Sequence, residues 1–299
     1  MRILVTGGAG FIGSHLVDAF VARGDEVFVM DNLSRGEQKH IDAKARFENL
    51  DVRNYADWKF ICDQFQPDVI HHLAAINGTK RFHNEANLVV DVNVNGTINA
   101  IKSAKEFNAK LVFYSSPEAF GEANTMPLSN ESNSVFTPAD VHQRHSYGSS
   151  KYIGEILCQF AVRNGQDIRI VRPFNVYGPR LRGDDNGQVV SMMLYSNPII
   201  VHGDGSQTRS FTWIGDVVDG LLKINDGKEL AGKSFNLGRV EETTILELAE
   251  MISKITNAEI EFGSKNHGDS ARRVPDISQN NLISWNAETS LIEGLNQLL

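Results

Sequence analysis

The first half of the chain alternates short apolar, β-branched runs with longer stretches of helical period. Arg2–Thr6 reads as a strand, Phe11–Arg23 as a helix and Glu26–Asp31 as a second strand. Asp68–Leu73 (DVIHHL) is a later strand, Asn93–Phe107 a helix and Lys110–Ser115 (KLVFYS) another strand. Tyr147–Arg163 and Asp167–Phe174 repeat the helix–strand pair. Alternation of this kind implies βαβ units, a parallel sheet and right-handed crossovers. From about Pro179 the pattern loosens, with helical stretches near Asp216–Lys223 and Ile245–Ile255 among short strands and loops. The expectation is an α/β fold: a doubly wound parallel sheet over residues 1–178, and a smaller mixed α/β lobe over 179–299 laid on the carboxyl edge of the sheet. The two would pack intimately, with some exchange of segments.

Composition narrows the class without choosing a chemistry. The 299 residues, 41% hydrophobic and 22% charged, suit a soluble globular protein with a substantial core. A formal net charge of -8 argues against a nucleic-acid partner. The two cysteines, Cys62 and Cys158, lack CxxC spacing, so neither a disulfide scaffold nor a zinc site is expected, and no metal is assigned. The opening MRILVTGGAGFIG has a short apolar run broken by glycines, neither a signal peptide nor a membrane span. A cytoplasmic enzyme is the default.

The strongest local signal is Gly8-Ala9-Gly10-Phe11-Ile12-Gly13, directly after a strand and opening a helix. Glycines there let the backbone turn tightly and approach a pyrophosphate, which sits on the helix N-terminus. Asp31 ends the next strand about twenty residues on, where a carboxylate accepts hydrogen bonds from a ribose 2′-OH. The pair makes the sheet Rossmann-type and favours NAD over NADP, although Arg35 lies close behind. Gly7, Gly10, Phe11, Ile12, Gly13, Asp31 and Asn32 are the expected cofactor contacts, with Leu73, Ala74 and Ala75 passing near it. Asp51, next to Val52, is placed either on the adenine amino group or as a helix cap. His71 and His72 face opposite sides of their strand and read as structural.

Tyr147 and Lys151 are four apart at the start of a helix, so both project from one face. A neighbouring ammonium and a positive nicotinamide ring would favour the phenolate, so that Tyr147 takes a hydroxyl proton while hydride leaves for NAD. Lys151 would also bond the nicotinamide ribose. Ser115 and Ser116 follow the strand that should end at the nicotinamide, and a hydroxyl there can share the substrate proton. Glu118 is an acid/base candidate for a second step, or a turn residue.

With these motifs the chain resembles the extended short-chain dehydrogenases/reductases that modify nucleotide sugars. The resemblance covers nearly the whole chain: TGGAGFIGSHL at Thr6–Leu16, DNLSRG at Asp31–Gly36, HLAA at His72–Ala75 and NVNGT at Asn93–Thr97. It continues with YSSPEAFG at Tyr114–Gly121, YGSSK at Tyr147–Lys151, RPFNVYGPR at Arg172–Arg180, GDGSQTRSF at Gly203–Phe211 and RRVPDIS at Arg272–Ser278. It implies catalytic roles for Tyr147, Lys151 and Ser116 and a sugar-nucleotide contact for Asn175. It implies a diphosphate grip by Arg209 and one of Arg272 or Arg273. It also implies a UDP-linked substrate and a homodimer through the helices Asn93–Phe107 and Tyr147–Arg163. Locally, Glu118 and the segment YGPRLRGDDNGQVVSMM at Tyr177–Met193 resemble UDP-glucuronate decarboxylases. Pro117 stands where a 4,6-dehydratase has its aspartic acid, Phe120 replaces the usual tyrosine, and INGTK at Ile76–Lys80 departs from the decarboxylases. Decarboxylation, epimerisation and dehydration share the first step, oxidation at C4, and all three stay open. A simple dehydrogenase would instead exchange its NAD, and a catalytically dead dinucleotide sensor would lack the Tyr/Lys pair.

Overall fold

The computed structural model describes residues 1–184, 187–264 and 270–298. Seven parallel strands form the main sheet. Six follow chain order: β1 (Arg2–Thr6), β2 (Glu26–Asp31), β3 (Arg46–Asn49), β4 (Val69–His72), β5 (Lys110–Tyr114) and β6 (Ile168–Pro173). The seventh, Ser234–Leu237, comes from far downstream and pairs with β6, giving the order Ser234–Leu237, β6, β5, β4, β1, β2, β3. Each central strand is buried on both faces, as a sheet covered by helices requires. Along β1, Ile3 and Val5 enter one core and Leu4 the other. One core holds Phe28, Met30, Ile70, Leu111 and Phe113 against the helices Tyr55–Phe65, Gly96–Glu106 and His145–Arg163. The opposite core holds Val27, Val29, Val112 and Val171 against the helices Phe11–Arg23 and Ile214–Asp226.

The strand order reverses between β1 and β4, and in open α/β sheets ligands bind beyond the carboxyl ends at such a switch point. A third core, including Tyr177, Val201, Phe211 and Leu248, holds the smaller lobe above that edge. The helix Ile214–Asp226 and the strand Ser234–Leu237 belong to the main sheet layer although they follow Pro179. A π-helical turn, Asp91–Asn95, precedes the helix Gly96–Glu106, so the α-helical part begins later than position 93. Of the segment at 177–193, Asp185 and Asn186 lie outside the described residues.

Candidate active site

A cavity of about 1090 Å³ opens over the switch point, lined by both lobes. Its floor is the turn after β1. Gly7 has a left-handed φ of 73°, and a Cβ there would lie 2.7 Å from the Ala74 backbone nitrogen. A Cβ on Gly13 would come within 2.2 Å of the Gly7 carbonyl oxygen. The missing side chains leave a backbone cradle over the N-terminus of the helix Phe11–Arg23, the geometry that receives a pyrophosphate. Gly7, Gly10, Phe11, Ile12, Gly13, Asn32, Val52, Leu73, Ala74 and Ala75 all line the cavity.

Asp31, at the end of β2, also lines it and is buried. Burial pushes its carboxyl up, against the hydrogen bonds it accepts from the backbone N–H groups of Leu33 (2.8 Å) and Ala9 (3.0 Å). Arg35, a nearby cation that would favour a 2′-phosphate, is turned onto Asp184 at 2.8 Å. The residues present therefore fit NAD. Asp51 pairs with Arg53 at 2.7 Å, and its neighbour Val52 lines the cavity.

His71 and His72 end β4 on opposite faces. His71 bonds Tyr114 Oη and Asn225 Oδ1, each at 3.0 Å, and His72 Nδ1 bonds Thr6 Oγ1 at 2.8 Å. Burial holds the first down to about 4 and the second to about 3, so both are neutral structural groups.

Tyr147, Lys151, Ser116 and Glu118 meet at the far end of the cavity, where β5 stops. Ser116 caps the short turn Pro117–Phe120, its Oγ accepting from the Glu118 N–H at 3.2 Å. Ser115 points the other way, onto Glu155 at 2.5 Å, leaving Ser116 as the hydroxyl on the Tyr147 side. Tyr147 is buried and stacks on Phe82 with ring centroids 4.7 Å apart. Lys151 Nζ donates to the Tyr114 carbonyl oxygen at 2.8 Å and lies 5.7 Å from the Tyr147 ring centroid. Burial brings the Lys151 ammonium down to about 8. Burial raises the Tyr147 phenol above its ordinary value, Glu118 adds to this, and a hydrogen bond with Ser116 opposes it. Burial thus dominates the phenol in this structure, and Lys151 is engaged on the Tyr114 carbonyl oxygen; a nicotinamide cation bound in the cavity would favour the phenolate together with that ammonium.

Glu118 ion-pairs with Arg273, and Arg144 stands 3.7 Å from the same carboxylate oxygen. Burial pushes the Glu118 carboxyl up, but Arg273 and Arg144 outweigh it and hold the group below the usual carboxylate range. It is an ionised anchor here, not a standing acid. Asn175, at a φ of 36° that asparagine tolerates better than most residues, donates to the Ser210 carbonyl oxygen at 2.9 Å and lines the cavity with Arg209. Arg273 lines the cavity too. Arg272 does not: it is exposed and pairs with Glu242 at 2.5 Å, because neighbours on a strand face opposite ways. Arg144, Arg180 and Arg182 also line the cavity and were not singled out from the sequence: Arg180 and Arg182 lie within quoted motifs that assign them no role, and Arg144 lies in none.

A glycine cradle at a switch point, an aspartate after β2 and a buried Tyr/Lys pair define a Rossmann-type NAD-dependent oxidoreductase site. A model of the NAD dependent epimerase/dehydratase family matches residues 3–238. UDP-glucuronic acid decarboxylase 1 of Arabidopsis thaliana is 36% identical over 310 residues, which span all of this chain and 69% of that protein. The UDP-glucose 4-epimerase of Thermotoga maritima, solved with UDP-glucose, superposes with a TM-score of 0.93 at 28% identity, covering 100% of this chain and 97% of its own. That of Thermus thermophilus, solved with NAD, gives 0.88 at 27% identity, with 100% and 97% covered. The chain belongs to the NAD-dependent epimerase/dehydratase family, and is an NAD-dependent enzyme that modifies nucleotide sugars.

Proposed function

We propose that this enzyme oxidises C4 of UDP-glucuronate, releases CO₂ and returns the hydride, giving UDP-xylose. The observation that carries this reading is the cluster beside Tyr147: two guanidinium groups, Arg273 and Arg144, around one carboxylate, Glu118. Both guanidinium groups line the cavity, where their planar forks suit a sugar with its own carboxylate. The 36% identity to a UDP-glucuronic acid decarboxylase supports the same choice.

Tyr147 Oη takes the proton of the 4-hydroxyl, with Ser116 Oγ sharing it. Bound NAD supplies the acceptor for the C4 hydride and the same hydride for its return. Oxidation leaves the C6 carboxylate β to a ketone, so the C5–C6 bond can break with its electron pair passing into the carbonyl. Tyr147 and Ser116 then donate hydrogen bonds to the enolate oxygen. C5 takes a proton from a water ordered on Glu118, the hydroxide left being neutralised by a proton from bulk solvent, and the carbonyl takes one back from Tyr147 as hydride returns. No departing hydroxyl needs an acid, which fits Pro117 in the turn.

Residues 1–178 carry the cofactor in this reading. Residues 179–299, apart from the returning helix and strand, grip the nucleotide through Arg209, with Asn175 of the first part beside it, and Arg273 faces the sugar end. The helix His145–Arg163 exposes Ile153, Ile156 and Phe160, the last 66% exposed, an apolar face suited to a homodimer. Among the described residues no helix is long and apolar enough to cross a membrane, and two buried free thiols suit the reducing cytoplasm. The runner-up is a 4-epimerase, favoured by the 0.93 TM-score to a UDP-glucose 4-epimerase. Incubation with UDP-glucuronate, UDP-glucose and UDP-N-acetylglucosamine decides between them. CO₂ with UDP-xylose supports decarboxylation; no CO₂, with an epimer formed from a neutral sugar, overturns it.

A further inference from the structure

Just outside the cavity, three metal-ligating side chains from two elements of the active site converge. Glu122 follows the turn that carries Glu118, and His145 opens the helix that carries Tyr147 and Lys151. His142 lies in the segment between. One Glu122 carboxylate oxygen is 3.3 Å from His145 Nε2 and 3.6 Å from His142 Nε2. The donor atoms of all three lie within 4.8 Å of one another, and the two imidazole centroids are 4.9 Å apart. None of the three lines the NAD and sugar cavity.

We propose that Glu122, His142 and His145 form a binding site for a divalent transition-metal ion of the zinc class, tying the Glu118 turn to the first turn of the catalytic helix. A tetrahedral ion with bonds of about 2.0–2.1 Å sets its ligand atoms roughly 3.3–3.4 Å apart, and the two Glu122–imidazole separations bracket that value. His145 Nε2 faces a Glu122 carboxylate oxygen at 3.3 Å and its Nδ1 has no hydrogen-bond partner among the described residues, although both ring nitrogens are shielded from solvent. Buried polar atoms are rarely left so. The Phe136 ring, edge-on at 5.2 Å, holds the imidazole in place. Two imidazoles and one carboxylate select zinc-like ions over magnesium or calcium, which prefer oxygen ligands, and leave a fourth position for water. On ligation His142 gives up the 3.3 Å contact that its Nδ1 accepts from the Arg144 N–H. The inference does not depend on which sugar is the substrate. Cysteine spacing could not reveal the site, because its ligands are one histidine in a loop, one at the start of a helix and a glutamate twenty residues upstream of the nearer one.

The test uses untagged full-length protein, stripped with a chelator and dialysed, with Zn²⁺ and Co²⁺ as probes. Zn²⁺ is expected to bind at one equivalent with micromolar or tighter affinity and to raise the thermal midpoint. Co²⁺ is expected to give the intense visible bands of a four-coordinate site. Outer-shell changes alone weaken metal sites by about 10–100-fold, so His142→Ala should weaken zinc binding by at least about 100-fold and Glu122→Gln by at least about 10-fold. Retained NAD binding in both variants shows that they are folded. Absence of saturable binding, or variants that bind NAD and still hold zinc as the parent does, overturns the proposal. If a variant fails to bind NAD, the Co²⁺ spectrum of the parent decides: four-coordinate bands uphold the site, and weak six-coordinate bands reject it.

Discussion

Lowering the pH from 8 to 5 should destabilise this fold through two buried histidines. His71 and His72 are 0% and 2% exposed and are held down to about 4 and about 3, against an unfolded value of 6.5. For His71 the causes are burial first, then Lys110, Arg169 and Arg23, with the Asn225 hydrogen bond opposing; for His72 they are burial and Lys151. Both groups are neutral in either state above pH 6.5, so nothing is lost there. Below 6.5 the unfolded chain takes up protons that the fold refuses, so stability falls as pH drops towards the folded values. At about 1.36 kcal/mol per unit, each histidine costs roughly 2 kcal/mol by pH 5, or about 4 kcal/mol together. That is a large part of a typical stability of about 5–15 kcal/mol. His15, His40 and His83 are also held down and act in the same direction. The carboxylates held low, such as Asp51 and Asp68, add their losses mainly below about pH 5; Lys151, brought down to about 8, adds a small loss near pH 8, and the raised Asp31 carboxyl acts in the opposite direction as it takes up its proton. Urea unfolding at pH 8, 6.5 and 5 measures the difference. An unfolding free energy constant to within about 1 kcal/mol between pH 8 and 5 would refute the assignment of both as buried and neutral.

Tyr147→Phe is expected to slow hydride transfer by about 10²–10⁴-fold while NAD binding stays intact, read from the reduced-nicotinamide absorbance on mixing with substrate. NADP should bind roughly 30–1000-fold more weakly than NAD, because Asp31 repels a 2′-phosphate and loses its ribose hydrogen bond; equal affinities in a calorimetric titration would remove that role. Glu118→Gln keeps an acceptor for Arg273 but removes the charge that two guanidinium groups face. Turnover should fall by about 10-fold or more with NAD affinity unchanged, and a variant with normal turnover would show the carboxylate to be a spectator.

Much of the main layer was legible because its signals are local. The expected bounds of β1, the helix Phe11–Arg23 and β2 coincide with the observed ones, and the helix expected from Tyr147 begins only two residues earlier, at His145. The strand Ser234–Leu237 was not legible as the sheet's edge: four residues carry little pattern, and what makes them a strand is β6, some sixty positions upstream. The short strand β3 (RFEN) has no apolar run, and its side chains are mostly exposed. At the site, spacing found the Tyr147/Lys151 pair, but the phenol's protonation depends on burial and on a lysine aimed at a backbone carbonyl. Adjacent arginines at 272 and 273 left open which one enters the cavity. Strand alternation guarantees that only one does, and the register Arg273↔Arg209 picks it.

The two lobes are joined across the adenosine end of the cavity by polar contacts rather than by a shared apolar core. Arg35 pairs with Asp184 at 2.8 Å, Arg182 with Glu37 at 3.1 Å and Arg180 with Asp18 at 2.7 Å, while His15 Nε2 bonds the Pro179 carbonyl oxygen at 2.9 Å. Each contact ties the cofactor half to the stretch 179–184, and Arg35, Glu37, Arg180 and Arg182 all border the cavity. Part-exposed pairs are individually weak and are screened by salt. Several acting on one segment beside the cavity are expected to slow the departure of a dinucleotide, which suits chemistry that returns its hydride within one turnover. A dehydrogenase with net consumption of NAD needs that route open. Purified enzyme should therefore keep its NAD through gel filtration at low salt. It should lose NAD faster at high salt, and the double variant Arg35→Ala, Arg182→Ala should lose it at low salt as well. If both proteins release NAD equally fast and without regard to salt, the clasp does not hold the cofactor, and retention must come from the glycine cradle and Asp31 alone.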